Sequence, residues 1–99
     1  MPVQHIALFS FKTGTPPGTI DRSFDELHRL AKVIPGIINF SAGPNNSPEG
    51  LAGGLTHGFV MAFQDGAARD AYLPHPEHEK FKTFILPHIE KVIVFDYAC

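Results

Sequence analysis

The chain has a single cysteine, Cys99, as its last residue, so no internal disulfide can form and packing alone must hold the fold. That cysteine usage fits a reducing compartment, and the expected location is cytoplasmic. Basic clusters are also missing. Eight Lys and Arg against ten Asp and Glu give a net charge of −2, without the footprint that nucleic acid requires. No apolar run is long enough to span a bilayer. The apolar start, "MPVQHIALFSFK", lacks a basic leader region and a small-residue cleavage site, so it reads as the first strand of the mature protein. A phosphate-cradling loop is absent too: "GLAGG" carries no Lys-Ser/Thr pair behind it.

Tryptophan is absent and tyrosine occurs twice, whereas phenylalanine occurs nine times and histidine six times in 99 residues. Phenylalanine buries area without a polar handle. In so short a chain that implies a well-filled core or an apolar surface hidden by a partner subunit. The length leaves room for one core, hence a single domain over residues 1–99.

Residues 3–11, "VQHIALFSF", read as a strand with apolar residues on both faces: Val3, Ala7, Phe9 and Phe11 with His5 on one, Ile6 and Leu8 on the other. After the Gly/Pro-rich loop "KTGTPPGT", Thr19 is the expected N-cap of a helix. Its apolar face is Ile20, Phe24, Leu27, Leu30, Ala31 and Ile34, and Pro35-Gly36 ends it. "IINFSA" is a short strand. Residues 43–54, "GPNNSPEGLAGG", form a loop longer than most connections in a small domain. Residues 55–63, "LTHGFVMAF", are the third strand, with His57, Phe59, Met61 and Phe63 on one face. Asp65 caps a short helix stopped by Pro74; Pro76 opens the next, whose stripe is His78, Phe81, Ile85 and His88; Pro87 ends it. "KVIVFDYA" is the last strand.

The order β-α-β-β-α-β, with the second helix broken, is ferredoxin-like: an α+β sandwich with helices on one face of one sheet. On that reading the first and third strands are parallel neighbours at the centre. His5 and His57, each third in its strand, then fall at the same end and on the same face. The other sheet face is bare and apolar, and a second copy of the chain packed sheet to sheet is the expected cover, giving a two-fold homodimer.

The stretches "VQHIALFSFK", "LTHGFVMAF", "DAYLPHPEHEKF" and "FDY" together resemble the stress-responsive dimeric α/β-barrel family, the Dabb domain; "HPEH" followed by Phe81 is the most specific of them. Within that family the functional likeness is to a plant polyketide cyclase. The resemblance implies an intramolecular aldol condensation with no metal and no organic cofactor. It implies Tyr72 and His78 as the catalytic pair, with His5 and His57 binding substrate and His75 as the first histidine of the motif. An imidazole is suited to removing a proton between two carbonyls near neutral pH, and a phenol to steadying the enolate.

A plainer reading stands beside each residue. His75 caps a helix, His78 is a hydrogen-bonded structural histidine, and Tyr72 is core. His5 and His57 bond each other or water, and His28 and His88 lie on the surface. A metal site of His75, His78 and His5 or His57 is a further alternative, though no cysteine or carboxylate joins it. The functional expectation is therefore cofactor-free acid–base catalysis on a carbonyl-rich small molecule, most concretely polyketide cyclisation, against a non-enzymatic stress-response or ligand-binding module.

Overall fold

The computed structural model describes residues 1–99. In chain order it contains β1 (Val3–Phe11), α1 (Pro17–Val33), β2 (Ile37–Pro44), β3 (His57–Phe63), α2 (Gly66–Tyr72), α3 (Pro76–Ile85), a 3₁₀ turn (Leu86–His88) and β4 (Ile89–Ala98). The four strands form one sheet in the order β2-β3-β1-β4, and every neighbouring pair is antiparallel. This is the ferredoxin-like α+β fold with a divided second helix, as the element order implies.

The parallel pairing of β1 and β3 is overturned. Helix α1 carries the chain back so that β2 runs alongside β1 with one slot left between them. The 45–56 connection then reverses the chain, and β3 enters that slot antiparallel to both neighbours. In the resulting register His5 faces Met61 and His57 faces Phe9. The two histidines share a face but lie four residues apart along the sheet, about 13 Å at strand rise.

Alternation along β1 assigns the faces. Val3, His5, Ala7 and Phe9 are buried under the helices, while Leu8 opens to the other side. On the helix side they meet Leu27 and Leu30 of α1, Met61 and Phe63 of β3, and Tyr72, all almost wholly inaccessible. Helix α1 starts earlier than Thr19. Pro17 occupies its first turn behind Pro16, and no side chain caps it. Proline has no amide N–H to leave unsatisfied there, and its fixed φ already suits a helix, so the proline pair does the work expected of Thr19.

The other helix starts follow the sequence closely. The Asp65 carboxylate accepts from the Ala68 N–H at 2.8 Å, and the His75 imidazole accepts from the Glu77 N–H at 3.1 Å ahead of Pro76. At the end of α1, Gly36 has φ +89°, and a Cβ there would stand 2.6 Å from Ala68 Cβ. Only glycine permits that conformation and that approach, so this turn seats α2 against the end of α1. Arg29 ties α1 to α3 through Glu77 at 2.9 Å.

The opposite face of the sheet has no helix. Leu8, Val60, Ile93, Phe95 and Tyr97 stand on it at 38–64% exposure, an apolar surface continuous across β3, β1 and β4. No helix is long and apolar enough to cross a membrane.

Candidate functional site

Beyond the edge of α1 the helical layer leaves a gap over β1 and β4. The result is a cavity of about 340 Å³, lined by fifteen residues of which twelve are hydrophobic. Its polar lining is His5, His78 and Lys82, with Tyr72 contributing its ring and hydroxyl. Val92 and Val94 of β4 form the open wall. A mostly apolar chamber with a few convergent polar groups is the usual architecture of a small-molecule site.

Tyr72 is the last residue of α2 and His78 lies in the first turn of α3. The 73–75 joint turns the second helix back over the first, so the two rings stack with centroids 4.1 Å apart and planes at 24°. The same joint supplies a backbone acceptor: His78 Nδ1–H donates to the Leu73 carbonyl at 2.9 Å. A carbonyl can only accept, so the proton of neutral His78 sits on Nδ1, and Nε2 is left as the basic nitrogen. Burial lowers the His78 pKa below the ordinary imidazole value. The Leu73 hydrogen bond opposes that, and the Lys82 charge adds to it. Burial pushes the Tyr72 phenol well above its ordinary range, so it remains a protonated donor at neutral pH. Its hydroxyl pairs with no protein group, yet no fully enclosed side-chain polar atom is left unpartnered. The hydroxyl therefore reaches the cavity.

His5 sits edge-on to Tyr72 at 5.8 Å. Its Nδ1–H donates to Asp96 Oδ1 at 2.8 Å, and Asp96 Oδ2 accepts from Arg69 Nη1 at 2.7 Å. The carboxylate fixes this second imidazole in the same tautomer, with Nε2 as acceptor. The cavity thus holds one phenol donor between two imidazoles whose Nδ1 atoms are both committed elsewhere.

The structure brings together His5, Tyr72 and His78 but not His57. That residue lies at the far end of β3 among Phe9, Phe11 and Phe24, with Thr56 Oγ1 at 2.8 Å from its Nδ1. It lines a separate cleft beside the 45–56 connection, with Lys91, Asn45 and Asn46. Burial lowers its pKa as well. His75 is a helix cap. His28 is exposed, edge-on to Phe40, and His88 is half-buried near Phe84. No three His, Cys, Asp or Glu side chains converge into a metal-binding group. His75 Nδ1 and His78 Nδ1 are each held by backbone.

Sequence reasoning missed Asp96, Arg69 and Lys82. A signal was present for Asp96: it is the one charge within the apolar run "VIVFDYA", and a carboxylate so placed needs a partner. Arg69 and Lys82 read as ordinary outward-facing helix charges.

Fold and cavity together define a ferredoxin-like α+β domain with a ligand-sized apolar chamber and an uncovered sheet face. A family model, the stress-responsive A/B barrel domain, matches residues 3–99. A stress-response A/B barrel domain-containing protein, HS1 of Arabidopsis thaliana, is 36% identical over 96 residues, 97% of this chain and 88% of that protein. Olivetolic acid cyclase of Cannabis sativa is 25% identical over 98 residues, 99% of this chain and 97% of the cyclase. Among solved structures, a crystal structure of an Arabidopsis thaliana protein superposes with TM-score 0.92 at 35% identity, over 98% of this chain and 94% of that one. A dimeric ferredoxin-like protein of unknown function from Jannaschia superposes with TM-score 0.84 at 26% identity over the whole of both chains. The chain belongs to the stress-responsive A/B barrel domain family.

Proposed function

We propose that this protein is a cofactor-independent acid–base enzyme acting on a carbonyl-rich small molecule, most concretely one that closes a linear polyketone by intramolecular aldol condensation. The observation that carries this reading is the stacked Tyr72–His78 pair, with His78 Nδ1–H held by Leu73. His78 Nε2 removes a proton from a carbon between two carbonyls. The Tyr72 hydroxyl donates to the enolate oxygen as charge develops there. The enolate carbon attacks a second carbonyl along the chain, and the proton on His78 passes to the new alkoxide; that hydroxyl then leaves as water with a ring C–H proton, and enolisation of the remaining ring carbonyls gives the aromatic product. His5, oriented by Asp96, accepts a hydrogen bond from an enol or hydroxyl of the folded substrate. The apolar walls exclude water, and the relative named as an olivetolic acid cyclase supports a polyketide substrate.

The open sheet face is proposed as the seat of a second copy of the chain, since structural neighbours are described as dimeric ferredoxin-like proteins. The similarity to a stress-response protein favours a second reading, a non-enzymatic ligand-binding module.

A linear polyketo acid, followed by absorbance of the aromatic product, separates the two readings. H78A lowers turnover by about 10²–10⁴-fold if His78 is the base. Losing the stack on Tyr72 and the bond to the Leu73 carbonyl lowers stability by about 1 kcal/mol, too little to account for such a fall in turnover. Turnover unchanged in H78A, or absent from wild type, leaves the binding module.

A further inference from the structure

The cavity wall contains one cationic side chain. Lys82 lies one helical turn beyond His78 on α3 and shares the chamber with it. No Asp or Glu lines that chamber, and its other walls are apolar apart from the two imidazoles and the phenol. Lys82 is tied to Glu79 at 2.8 Å, but both partners are well exposed, at 39% and 54%. Such a pair contributes about 0–1 kcal/mol, so the ammonium can exchange Glu79 for another anion at little cost. Next to apolar walls an ion pair with a bound ligand is less screened than the one with Glu79 in water.

We infer that the ligand of this cavity carries a carboxylate, which Lys82 holds at the mouth while an apolar body fills the chamber between Tyr72, Phe81 and Val94. The inference rests on the cavity being the substrate site and adds the charge of the substrate to it. Residues four apart on a helix stand about 5–6 Å apart at Cβ. The carboxylate is therefore anchored close to the carbon that faces His78, and the substrate class is a keto acid rather than a neutral ketone. The ammonium also acts on the chemistry. A positive charge beside the base favours its neutral, proton-accepting form and stabilises the enolate it creates.

Paired neutral and anionic probes of one shape test this. 4-Butylbenzoate and 4-butylacetophenone are titrated into wild type, K82M and K82R by calorimetry, with the ring signals of His78 and Tyr72 followed by NMR. Wild type and K82R bind the carboxylate about tenfold more tightly than the ketone at low salt, and the preference shrinks at high salt. K82M retains the aliphatic stem and binds the ketone as wild type does, but the preference is lost. A preference that survives in K82M, or its absence from wild type while the ketone still moves the two rings, overturns the role of Lys82 alone. If neither probe moves the ring signals, the cavity is not the binding site, and the proposed function falls with the inference.

Discussion

Asp96 is the test of whether the polar arrangement around His5 is built or incidental. Its two oxygens have different clients: Oδ1 accepts from His5 Nδ1 at 2.8 Å and Oδ2 from Arg69 Nη1 at 2.7 Å. Both clients are donors. An asparagine of the same shape offers one acceptor and one donor, so D96N satisfies either His5 or Arg69 and confronts the other with an amide N–H. The side chains of His5 and Asp96 are 8% and 20% exposed, so little water can rescue the loser. A hydrogen bond to a charged group is worth about 1.5–3 kcal/mol, and a buried donor left unpaired costs about 1–3 kcal/mol. D96N and D96A are each expected to lose about 1–3 kcal/mol in urea unfolding. R69M is expected to lose less than about 1 kcal/mol, since Arg69 is partly exposed and also paired with Asp70. Nitrogen-15 spectra of the imidazoles give the second readout: wild-type His5 carries its proton on Nδ1, and D96A releases it to a mixture of tautomers. Stability of both Asp96 variants within about 0.5 kcal/mol of wild type, with the His5 tautomer unchanged, refutes the reasoning.

Acid dependence follows from the imidazoles. His78 and His57 both have pKa values below the ordinary value of 6.5, chiefly through burial. Well above pH 6.5 both folded and unfolded chains hold them neutral, so they add no slope. As pH falls below 6.5 the unfolded chain takes up protons first, and stability is lost as pH falls through the folded values. The melting temperature should therefore drop between pH 6.5 and 5, before carboxylates titrate, and less steeply in H57F; a flat profile over that window counts against the burial argument. Turnover should persist below pH 6.5 with its acid limb displaced downward, and an acid limb above 6.5 excludes His78 as the base. At the open sheet face, F95E places a charge where Phe95 is 64% exposed amid apolar neighbours. Light scattering should give a monomer mass for F95E and a dimer mass for wild type. A dimer that persists in F95E places the interface elsewhere.

Features set by neighbouring residues were legible in the sequence. The caps at Asp65 and His75, the break between α2 and α3, and the buried face of β1 each depend on chemistry within a few positions. Strand pairing depends on which slot the later strand enters. Two strands of matching pattern look alike whether they run parallel or antiparallel, so the pattern places His5 and His57 together whereas the fold separates them. The family resemblance of "DAYLPHPEHEKF" pointed to Tyr72 and His78, and seven consecutive residues suffice to stack the two rings. The Asp96–His5 bond spans 91 positions, and local periodicity carries no trace of it. The early start of α1 was obscured because Thr19 is the better side-chain cap, whereas two prolines achieve the same end by removing a donor.

The 73–75 joint has a further consequence for how such a protein can change. The Tyr72 phenol, the His78 imidazole and the carbonyl that orients it all travel on one short piece of chain, and much of the cavity wall comes from β1, β3 and β4. Substitutions at Val92 or Val94 of β4 can reshape the chamber without disturbing that segment. One polar segment is thereby kept intact while descendants of a common ancestor drift toward quite different guests.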